Sequence, residues 1–293
     1  MTGRPVTVVG DLATDVVVVL AGEPAPGSDR PASIRSRGGG AGANVAVHLA
    51  RLGVPVTLAG CVGDDAAGAG LVAELTAAGV GTAVRTVPGV GTGTIVSLVE
   101  PGGERSMLAD RGANLELHPD DVPPPAAGAH LHLSGYTLLD PGPRAAGLAA
   151  LRAAAAAGCS VSVDPASTGP LSAYGVDRWL DDTAAATLLL PNAAEARLLT
   201  GTTDVAEAAR MLAARHRVVA VSLGGDGALW ASGDLLVHRP AHAAEVLETT
   251  GAGDAFAAGL LAAWLDTDGA DPAAALDAGL ALAAEVVRRL GAR

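Results

Sequence analysis

The sequence predicts an α/β protein with three layers, in which helices cover both faces of a mostly parallel β-sheet. Apolar, β-branched segments alternate with alanine- and leucine-rich segments of helical periodicity along most of the chain. This alternation is typical of parallel strands joined by helices. The 293 residues fit one large domain with a small accessory part. We therefore expect residues 1–293 to form a single α/β domain.

Short runs rich in β-branched residues predict the strands of the main sheet, because such side chains fit a pleated surface. They cover residues 6–10, 56–59, 130–133, 160–164, 187–190 and 218–223. Apolar positions at helical spacing predict the helices between and after these strands. The helices cover residues 42–52, 66–78, 144–157, 192–199, 205–215, 253–265 and 272–290. Each strand–helix–strand connection is expected to be right-handed.

A predicted hairpin interrupts this alternation. Residues 94–99 and 104–109 flank a Pro-Gly-Gly sequence at 101–103, which is typical of two antiparallel strands joined by a short turn. Together with residues 15–20 they predict a small sheet beside the main one. Three consecutive prolines at 123–125 then mark a stiff connection back to the main domain.

The charge balance excludes several classes of partner. The chain carries 19 basic and 31 acidic residues, for a net charge of −12, so neither nucleic acid nor an anionic membrane is an expected partner. Asp11 and Asp15 interrupt the N-terminal apolar run, and no stretch reaches membrane-spanning length. We expect a cytoplasmic protein. Cys61 and Cys159 are too few for a zinc site or a disulfide framework, and both are predicted core residues.

The chain contains no lysine, because all 19 of its basic residues are arginines. This excludes the phosphate-binding lysine of a P-loop and the strand lysine of a protein kinase. It also excludes Schiff-base chemistry, which needs a lysine amine.

A glycine-rich turn opens the first predicted helix, in the segment SRGGGAGANVAVHLARLG at 36–53. Gly39 and Gly40 would let the backbone approach a ligand, and Asn44 offers an amide to a hydroxyl. A dinucleotide-binding motif should follow the first strand directly, and this one does not. Asp15 lies just past the first strand, where open α/β sheets bind ligands, and its carboxylate could hold two hydroxyls. The alternatives are a plain glycine-rich loop and a solvated aspartate.

Two further segments carry polar groups at the ends of predicted strands. In LLLPNAAEARLLTG at 188–201, Asn192 and Glu195 fit either a helix N-terminal capping box or positions that hold water around a magnesium–triphosphate. In VVAVSLGGDGALW at 218–230, a strand ends at Ser222 and a glycine turn leads into a second strand. That turn suits a flat or phosphorylated ligand, and it also suits a hairpin without one. Its glycines are Gly224, Gly225 and Gly227.

The segment ETTGAGDAFAAGLLAAW at 248–264 places Asp254 in the first turn of an apolar helix. Free N–H groups and the helix dipole favour an anion there. One interpretation is that Asp254 merely caps or charges the turn. The other is that the glycines and Asp254 form part of an anion-binding, catalytic turn.

Taken together, these segments resemble the ribokinase-like, or PfkB, family of carbohydrate kinases. GGAGAN at 39–44 resembles the family's first signature and TTGAGDAF at 249–256 its second, with PNAAE and SLGGDG between them in the expected order. The resemblance implies a ribokinase-like, Rossmann-like fold with a small β-sheet lid, formed by about residues 11–36 and 88–112. It also implies transfer of the γ-phosphoryl group of ATP to a hydroxyl of a sugar or nucleoside.

The resemblance further implies roles for individual residues. Gly251, Ala252 and Gly253 would form an anion hole of backbone N–H groups, and Asp254, held ionised by the helix dipole, would be the catalytic base. The sugar-binding residues would be Asp15, Gly39, Gly40 and Asn44. The nucleotide-binding residues would be Asn192, Ser222, Gly224, Gly225 and Gly227. Glu195 would hold Mg²⁺ through water.

The chain also departs from the family pattern. Glu248 stands where the family usually has an aspartate that contributes to a monovalent-cation site, so activation by K⁺ is an open expectation. Ala41 replaces the lysine common in ribokinases. The segment 104–117 looks closer to fructokinase-like and keto-deoxy-gluconate kinase-like members. In these, arginines near the lid meet an acidic or phosphorylated sugar, a role for which Arg105 and Arg111 are candidates; the alternative is that both are solvated lid charges.

We therefore expect an ATP-dependent kinase of a small sugar or sugar acid that depends on Mg²⁺. A nucleoside or vitamin kinase of the same fold is one alternative, although aromatic residues make up only 2% of the chain and leave little to stack on a base. A non-catalytic sugar or nucleotide sensor is the other. Dimerisation through the lid, common in relatives, is a further expectation.

Overall fold

A nine-stranded sheet forms the centre of the protein. The structure, a computed structural model, describes residues 3–22, 27–29, 31–100, 105–289 and 291–293. The strands in these ranges are β1 (Val6–Val9), β2 (Ala13–Leu20), β3 (Ala32–Gly39), β4 (Val56–Gly63), β5 (Gly81–Val87), β6 (Thr94–Val99), β7 (Arg105–Asp110), β8 (His130–Ser134), β9 (Ser160–Asp164), β10 (Leu188–Leu189), β11 (Val218–Ser222), β12 (Ala228–Ser232) and β13 (Leu235–Arg239).

The nine strands of this main sheet are ordered β13-β12-β11-β10-β9-β8-β1-β4-β5. The strands from β11 to β5 are parallel. Only β12 and β13, which follow β11 in two successive turns, are antiparallel. The predicted, mostly parallel sheet is therefore confirmed.

Ten α-helices lie within the described residues. They are α1 (Ala41–Arg51), α2 (Ala66–Ala77), α3 (Tyr136–Leu139), α4 (Arg144–Ala156), α5 (Thr168–Tyr174), α6 (Val176–Asp182), α7 (Ala193–Thr200), α8 (Val205–Ala213), α9 (Ala252–Thr267) and α10 (Pro272–Val286). None of the described helices is long and apolar enough to cross a membrane.

Two hydrophobic cores, one on each face of the main sheet, give the three predicted layers. The side chains of successive strand residues point to opposite faces, so Val8 of β1 belongs to the first core and Val9 to the second. Helices α1, α2, α9 and α10 cover the first core, and α4 to α8 contribute to the second. Cys61 is buried in the second core, as expected, whereas Cys159 is only partly buried.

Several elements are absent from the sequence-based prediction. Strand β5 lies at the edge of the main sheet and is largely exposed, so it lacks the apolar pattern by which strands are recognised. Helices α3, α5 and α6 have four to seven residues, which is too short to show a helical period. Strand β13 is exposed or half-buried along its length and was missed for the same reason as β5.

A second, four-stranded sheet has the order β3-β2-β6-β7. The predicted hairpin is present, with β6 antiparallel to β7 from Thr94↔Asp110 to Val99↔Arg105; its turn at 101–104 lies outside the described residues. Strand β2 pairs with β6 in parallel and with β3 in antiparallel. The sequence analysis did not recognise β3 as a strand, and it extends to Gly39, past the expected lid boundary at 36.

Candidate active site

A cleft of about 580 Å³ lies between the two sheets, at the carboxyl ends of the main strands. Asp11 follows β1, Asp164 ends β9 and Ser222 ends β11, and the small sheet supplies Asp15 and Met107 to the opposite wall. Loops after parallel strands meet at one edge of a sheet, which is where open α/β sheets bind ligands. We call this space the acceptor cleft.

A second pocket of about 450 Å³ adjoins the acceptor cleft. Ser222, Gly253 and Phe256 line both spaces, so the two meet at the N-terminus of α9. We call this second space the nucleotide pocket, because four of the five residues predicted to bind the nucleotide line it. Of the predicted nucleotide-binding residues, it is lined by Ser222, Gly224, Gly225 and Gly227.

The glycines at the start of α9 are required for different reasons. Gly251 caps the helix with φ of 77°, a left-handed conformation that favours glycine, and a Cβ there would lie 2.4 Å from the Cβ of Ala292. A Cβ on Gly253 would meet no atom within 4 Å. Protein packing therefore does not explain Gly253, and its bare backbone faces the space where the cleft and the pocket meet. The first N–H groups of a helix at such a place favour an anion.

Asp254 lies one residue further along, partly buried in the acceptor cleft. The Asn44 side-chain amide donates a hydrogen bond to its Oδ2 at 2.7 Å. Burial raises the pKa of Asp254 well above its usual range, and the carboxylates of Asp164, Asp11 and Asp15 raise it further, while the Asn44 hydrogen bond lowers it. Burial thus acts against the ionised form that the helix dipole favours, and the ionised state of Asp254 stays a prediction.

Asn44 holds its amide towards both Asp254 and the cleft. It projects from the first turn of α1 and lines the acceptor cleft. Its Oδ1 is buried and has no hydrogen-bond partner among the residues that the structure describes. A buried acceptor without a partner costs free energy, so a ligand hydroxyl that donates to it would be bound favourably.

The two predicted sugar-binding glycines allow acidic residues to approach closely. A Cβ on Gly39 would lie 2.1 Å from Oδ2 of Asp15, and one on Gly40 would lie 2.5 Å from the carbonyl oxygen of Asp11. Gly40 also has φ of 94°. Of the two, only Gly40 lines the cleft. Burial raises the pKa of Asp15 to about 6, with a lowering contribution from the charge of Arg293.

Arg111 is neither solvated nor available as a free cation. Its Nε donates to Oδ2 of Asp140 at 3.1 Å, and its Nη1 lies 3.5 Å from Oδ2 of Asp11. Its guanidinium lies over the Tyr136 ring, 4.2 Å from the ring centroid. The sequence analysis missed Asp11 and Asp140, although Asp11 directly follows the first strand. Arg105 is the first residue of β7, but its side chain lies outside the described residues.

Asn192 and Glu195 form the predicted capping box. The Glu195 N–H donates to Oδ1 of Asn192 at 3.0 Å, and the Asn192 N–H donates to Oε2 of Glu195 at 2.9 Å. Both residues line the acceptor cleft and not the nucleotide pocket. Asn192 also forms a backbone bridge to Ser222, so it lies beside the place where the two spaces meet.

Two carboxyl groups, the buried Glu195 and the half-buried Asp164, line the cleft. Burial raises the pKa of Glu195 to about 7, and the charge of Asp164 raises it as well. Burial also raises the pKa of Asp164 to about 6. Carboxylate oxygens suit Mg²⁺, which usually takes one or two of them and keeps several waters. Within the described ranges there is no group of three metal-ligating side chains. A Mg²⁺ site that is completed by phosphate oxygens and water would not need such a group.

Glu248, predicted for a monovalent cation, already has hydrogen bonds to both carboxylate oxygens. The Thr250 hydroxyl donates to Oε1 at 2.8 Å, and the Gly291 N–H donates to Oε2 at 2.8 Å. Glu248 is 6% exposed. Each oxygen keeps a further lone pair beside its donor, and the expectation that Glu248 contributes to a monovalent-cation site stays a prediction.

Comparisons with known proteins agree with this geometry. The sequence pattern described as "pfkB family carbohydrate kinase" matches residues 4–293. The chain is 36% identical over 255 residues to a fructokinase of Klebsiella pneumoniae, covering 84% of this chain and 82% of that protein. It is 37% identical over 275 residues to an ATP-dependent ribose-1-phosphate kinase of Halopiger xanaduensis, covering 92% and 87%.

Solved structures show the same fold. The fructokinase of Vibrio cholerae O395, in a form with fructose, ADP and calcium ion bound, matches with a TM-score of 0.85 and 26% identity, over 100% of this chain and 95% of that one. The aminoimidazole riboside kinase of Salmonella enterica matches with a TM-score of 0.82 and 29% identity, over 99% and 95%. The chain therefore belongs to the pfkB family of carbohydrate kinases and is an ATP-dependent phosphotransferase with a hydroxyl group as acceptor.

Proposed function

We propose that a small sugar binds in the acceptor cleft, ATP binds in the nucleotide pocket, and the phosphoryl group passes between them at the N-terminus of α9. One observation carries this proposal: the two spaces share Gly253, one residue from Asp254. This arrangement brings the sugar hydroxyl, the Asp254 carboxylate and the triphosphate of ATP within one helical turn. Holding the reactants together in this way makes the reaction effectively unimolecular.

Asp254 acts as the base in this scheme. Its carboxylate accepts the proton of the sugar hydroxyl while the hydroxyl oxygen forms a bond to the γ-phosphorus, and the bond from that phosphorus to the β,γ-bridging oxygen breaks to release ADP. The raised pKa of Asp254 makes its carboxylate a stronger base than an exposed aspartate, as suits a general base that works near neutral pH. Asn44 orients it through the 2.7 Å hydrogen bond.

The N–H groups of Gly251 and Gly253 stabilise the charge on the transferring group, and that of Ala252, predicted with them, donates to the Thr249 carbonyl oxygen at 3.2 Å in this structure and would have to turn from it to join them. Backbone donors fixed at a helix terminus need no reorganisation during the reaction, and they replace the lysine that this chain lacks. Magnesium, when bound, supplies neutralisation of the triphosphate charge. Glu195 and Asp164 are the residues that would hold it, through water, from the wall of the cleft. Activation by potassium through Glu248 stays a prediction.

The sugar is held by polar groups on both walls of the cleft. Asp15 from the small sheet and the unpartnered Oδ1 of Asn44 are placed to accept hydrogen bonds from hydroxyls. Gly39 and Gly40 keep Asp15 and the β1–β2 loop close to the bound sugar. The small sheet would act as the lid that excludes water, which could otherwise accept the phosphoryl group.

The cytoplasmic location of the protein stays a prediction.

The apolar wall of the nucleotide pocket provides a test of where ATP binds. Ala284 lies on α10 among Leu280, Ala283 and Val287, across from the glycine turn. Replacing Ala284 with phenylalanine is expected to fill part of the pocket and raise KM for ATP about tenfold, equivalent to about 1.4 kcal/mol of binding. KM for the sugar should not change. Steady-state kinetics with each substrate varied in turn would measure this.

The matched control is Ala281→Phe, on the exposed face of the same helix. It should leave KM for ATP unchanged. An equal effect of both substitutions, or a rise in KM for the sugar alone, would contradict the assignment of this pocket to ATP.

A nucleoside kinase remains the second candidate. One relative is the aminoimidazole riboside kinase of Salmonella typhimurium, 31% identical. Against it, Tyr136 and Phe256 are the only aromatic side chains among the described residues that line the acceptor cleft. Arg111 already covers the Tyr136 ring. ADP release from magnesium-ATP across ketoses, aldoses, sugar acids and nucleosides would separate these candidates. ATP binding without turnover on any acceptor would favour the sensor.

We further propose that two copies of the chain pair through the outer face of the small sheet. Alternation in β2, β3, β6 and β7 turns Asp15, Ile95 and Met107 to the cleft and a set of aliphatic side chains to the opposite face. Ile34 is 66% and Leu108 60% exposed. A contiguous apolar face of this kind usually marks an interaction site. It consists of Val16, Val18, Ile34, Val96, Leu98 and Leu108.

Replacing both Ile34 and Leu108 with glutamate is expected to convert a dimer to a monomer. Two negative charges without cationic partners would be costly to bury at such an interface. Sedimentation equilibrium would measure the mass. Leu235→Glu, at an exposed leucine of β13, is the control. A wild-type protein that sediments as a monomer at micromolar concentration would contradict the proposal.

A further inference from the structure

The acceptor cleft is strongly acidic. Among its described lining residues there is one cationic side chain, Arg111, against six carboxyl groups. An anionic ligand placed in this cleft would meet the negative charge of those carboxyl groups that are ionised, in surroundings where charges are less screened than in water. The carboxyl groups are those of Asp11, Asp15, Asp140, Asp164, Glu195 and Asp254.

Arg111 does not offset the negative charge of the cleft for a ligand, because two aspartates already bind its guanidinium. Asp140 accepts from Nε at 3.1 Å and Asp11 lies 3.5 Å from Nη1. One planar face of the guanidinium is covered by Tyr136, and the side chain is only 16% exposed. A phosphate or carboxylate binds arginine best through two parallel N–H bonds. It would have to displace one of these aspartates to obtain them.

Asp140 is the partner that determines whether Arg111 can turn to a ligand. Asp11 is buried, and its Oδ1 lies 3.4 Å from both the Gly42 N–H and the Ser134 hydroxyl, so its position is fixed by the fold. Asp140 is more exposed, with 32% of its side chain accessible, and it follows the short helix α3. Replacing its carboxylate with a neutral amide would exchange a charge-assisted hydrogen bond for a weaker one, which would let the Arg111 guanidinium turn to an anionic ligand.

We propose that this site accepts neutral polyhydroxyl sugars and rejects sugars that already carry a phosphate or carboxylate, with Asp140 as the specificity-determining residue that holds Arg111 away from such groups. The proposal deepens the proposed function and rests on it. It is the opposite of the role for which the sequence made Arg111 a candidate, which was to meet an acidic or phosphorylated sugar. The product is then a sugar monophosphate made from an unphosphorylated sugar, and the reaction that precedes this one must supply a free sugar.

The test compares matched acceptors on the purified full-length protein with magnesium-ATP. D-fructose is paired with fructose 1-phosphate, D-ribose with ribose 1-phosphate, and D-gluconate represents the sugar acids. The expected result is that kcat/KM for at least one neutral sugar exceeds that of its phosphate by 100-fold or more. Asp140→Asn should reduce this ratio at least tenfold, through a higher kcat/KM for the phosphorylated sugar, and Asp140→Glu should restore the ratio.

The control is Asp181→Asn. Asp181 also accepts from an arginine, Arg215, at 2.8 Å, but on the surface of the protein, so its removal should leave the ratio unchanged. The inhibition constant of each phosphorylated sugar on the wild-type enzyme gives a readout that needs no variant. The neutral sugar should bind at least tenfold more tightly than its phosphate.

The outcomes are distinguishable. A wild-type preference for the phosphorylated or acidic acceptor would overturn this inference and leave the kinase assignment intact. An unchanged ratio in a folded Asp140→Asn protein would overturn the role of Asp140. No turnover on any sugar, with ATP still bound, would overturn the proposed function and this inference with it.

Discussion

Replacing Asp254 with asparagine is expected to lower kcat by about a thousand-fold, within the range that a positioned general base contributes. Asparagine has the shape of aspartate, and its carbonyl oxygen can still accept the hydrogen bond from Asn44 that reaches Oδ2 now at 2.7 Å. The variant should therefore fold and bind both substrates, and it should lack only the group that accepts the proton. Initial rates of ADP release, with ATP affinity measured separately by calorimetry, would check this.

The same substitution should also stabilise the protein, in a way that depends on pH. Burial raises the pKa of Asp254, so the folded state holds this proton more tightly than the unfolded state, whose pKa is about 3.9. Stability is therefore lost as the pH rises from that value through the folded pKa. Asparagine does not titrate, so Asp254→Asn should melt at a higher temperature than wild type at pH 8, and the difference should shrink towards pH 4.5.

Asp234→Asn is the control for both measurements, because Asp234 is exposed in the turn between β12 and β13. It should change neither kcat nor the melting temperature. Full phosphoryl transfer by the Asp254→Asn protein would exclude Asp254 as the base. A lower melting temperature at pH 8 would mean that the charge of Asp254 is better compensated than its burial indicates.

Replacing Gly253 with alanine is expected to separate stability from activity. A Cβ there meets no protein atom within 4 Å, and alanine in place of glycine within a helix gains about 0.5–1 kcal/mol. The variant should be as stable as wild type or more so. Its methyl group would nevertheless occupy the space where the phosphoryl group approaches the N–H groups of α9. We expect kcat/KM to fall about 100-fold, the effect of losing one such donor.

Two other glycines make this experiment specific. Gly70→Ala, in α2, is the matched control, because its Cβ also meets nothing within 4 Å, and it should leave activity unchanged. Gly251→Ala should lose both activity and stability, because φ is 77° there and the Cβ would collide with Ala292. Wild-type kinetics for Gly253→Ala, measured beside a chemical denaturation curve, would exclude the anion hole at this position.

Much of the fold follows from local patterns. The alternation of β-branched and helical segments predicted the parallel sheet and its two layers of helices, since each such segment buries one face or both. The hairpin of β6 and β7 and the capping box of Asn192 and Glu195 were also predicted, because their signals lie within a few residues of each other. Strand β5 and the short helices α3, α5 and α6 were not predicted, since exposed or very short elements show no periodicity.

The candidate site likewise combines features that the sequence predicts with features that only the structure shows. By itself the sequence determined that Asp254 stands at the mouth of an apolar helix behind small residues, and that no lysine is present to hold phosphate. Only the tertiary structure decided which groups meet there: Asn44 contacts Asp254 across 210 residues, and Arg111 contacts Asp11 across 100. These contacts, and the burial that raises the carboxyl pKa values, depend on the packing of whole layers. A motif a few residues long specifies a helix start or a turn, but the charge and solvation of a site depend on chain segments far apart in sequence.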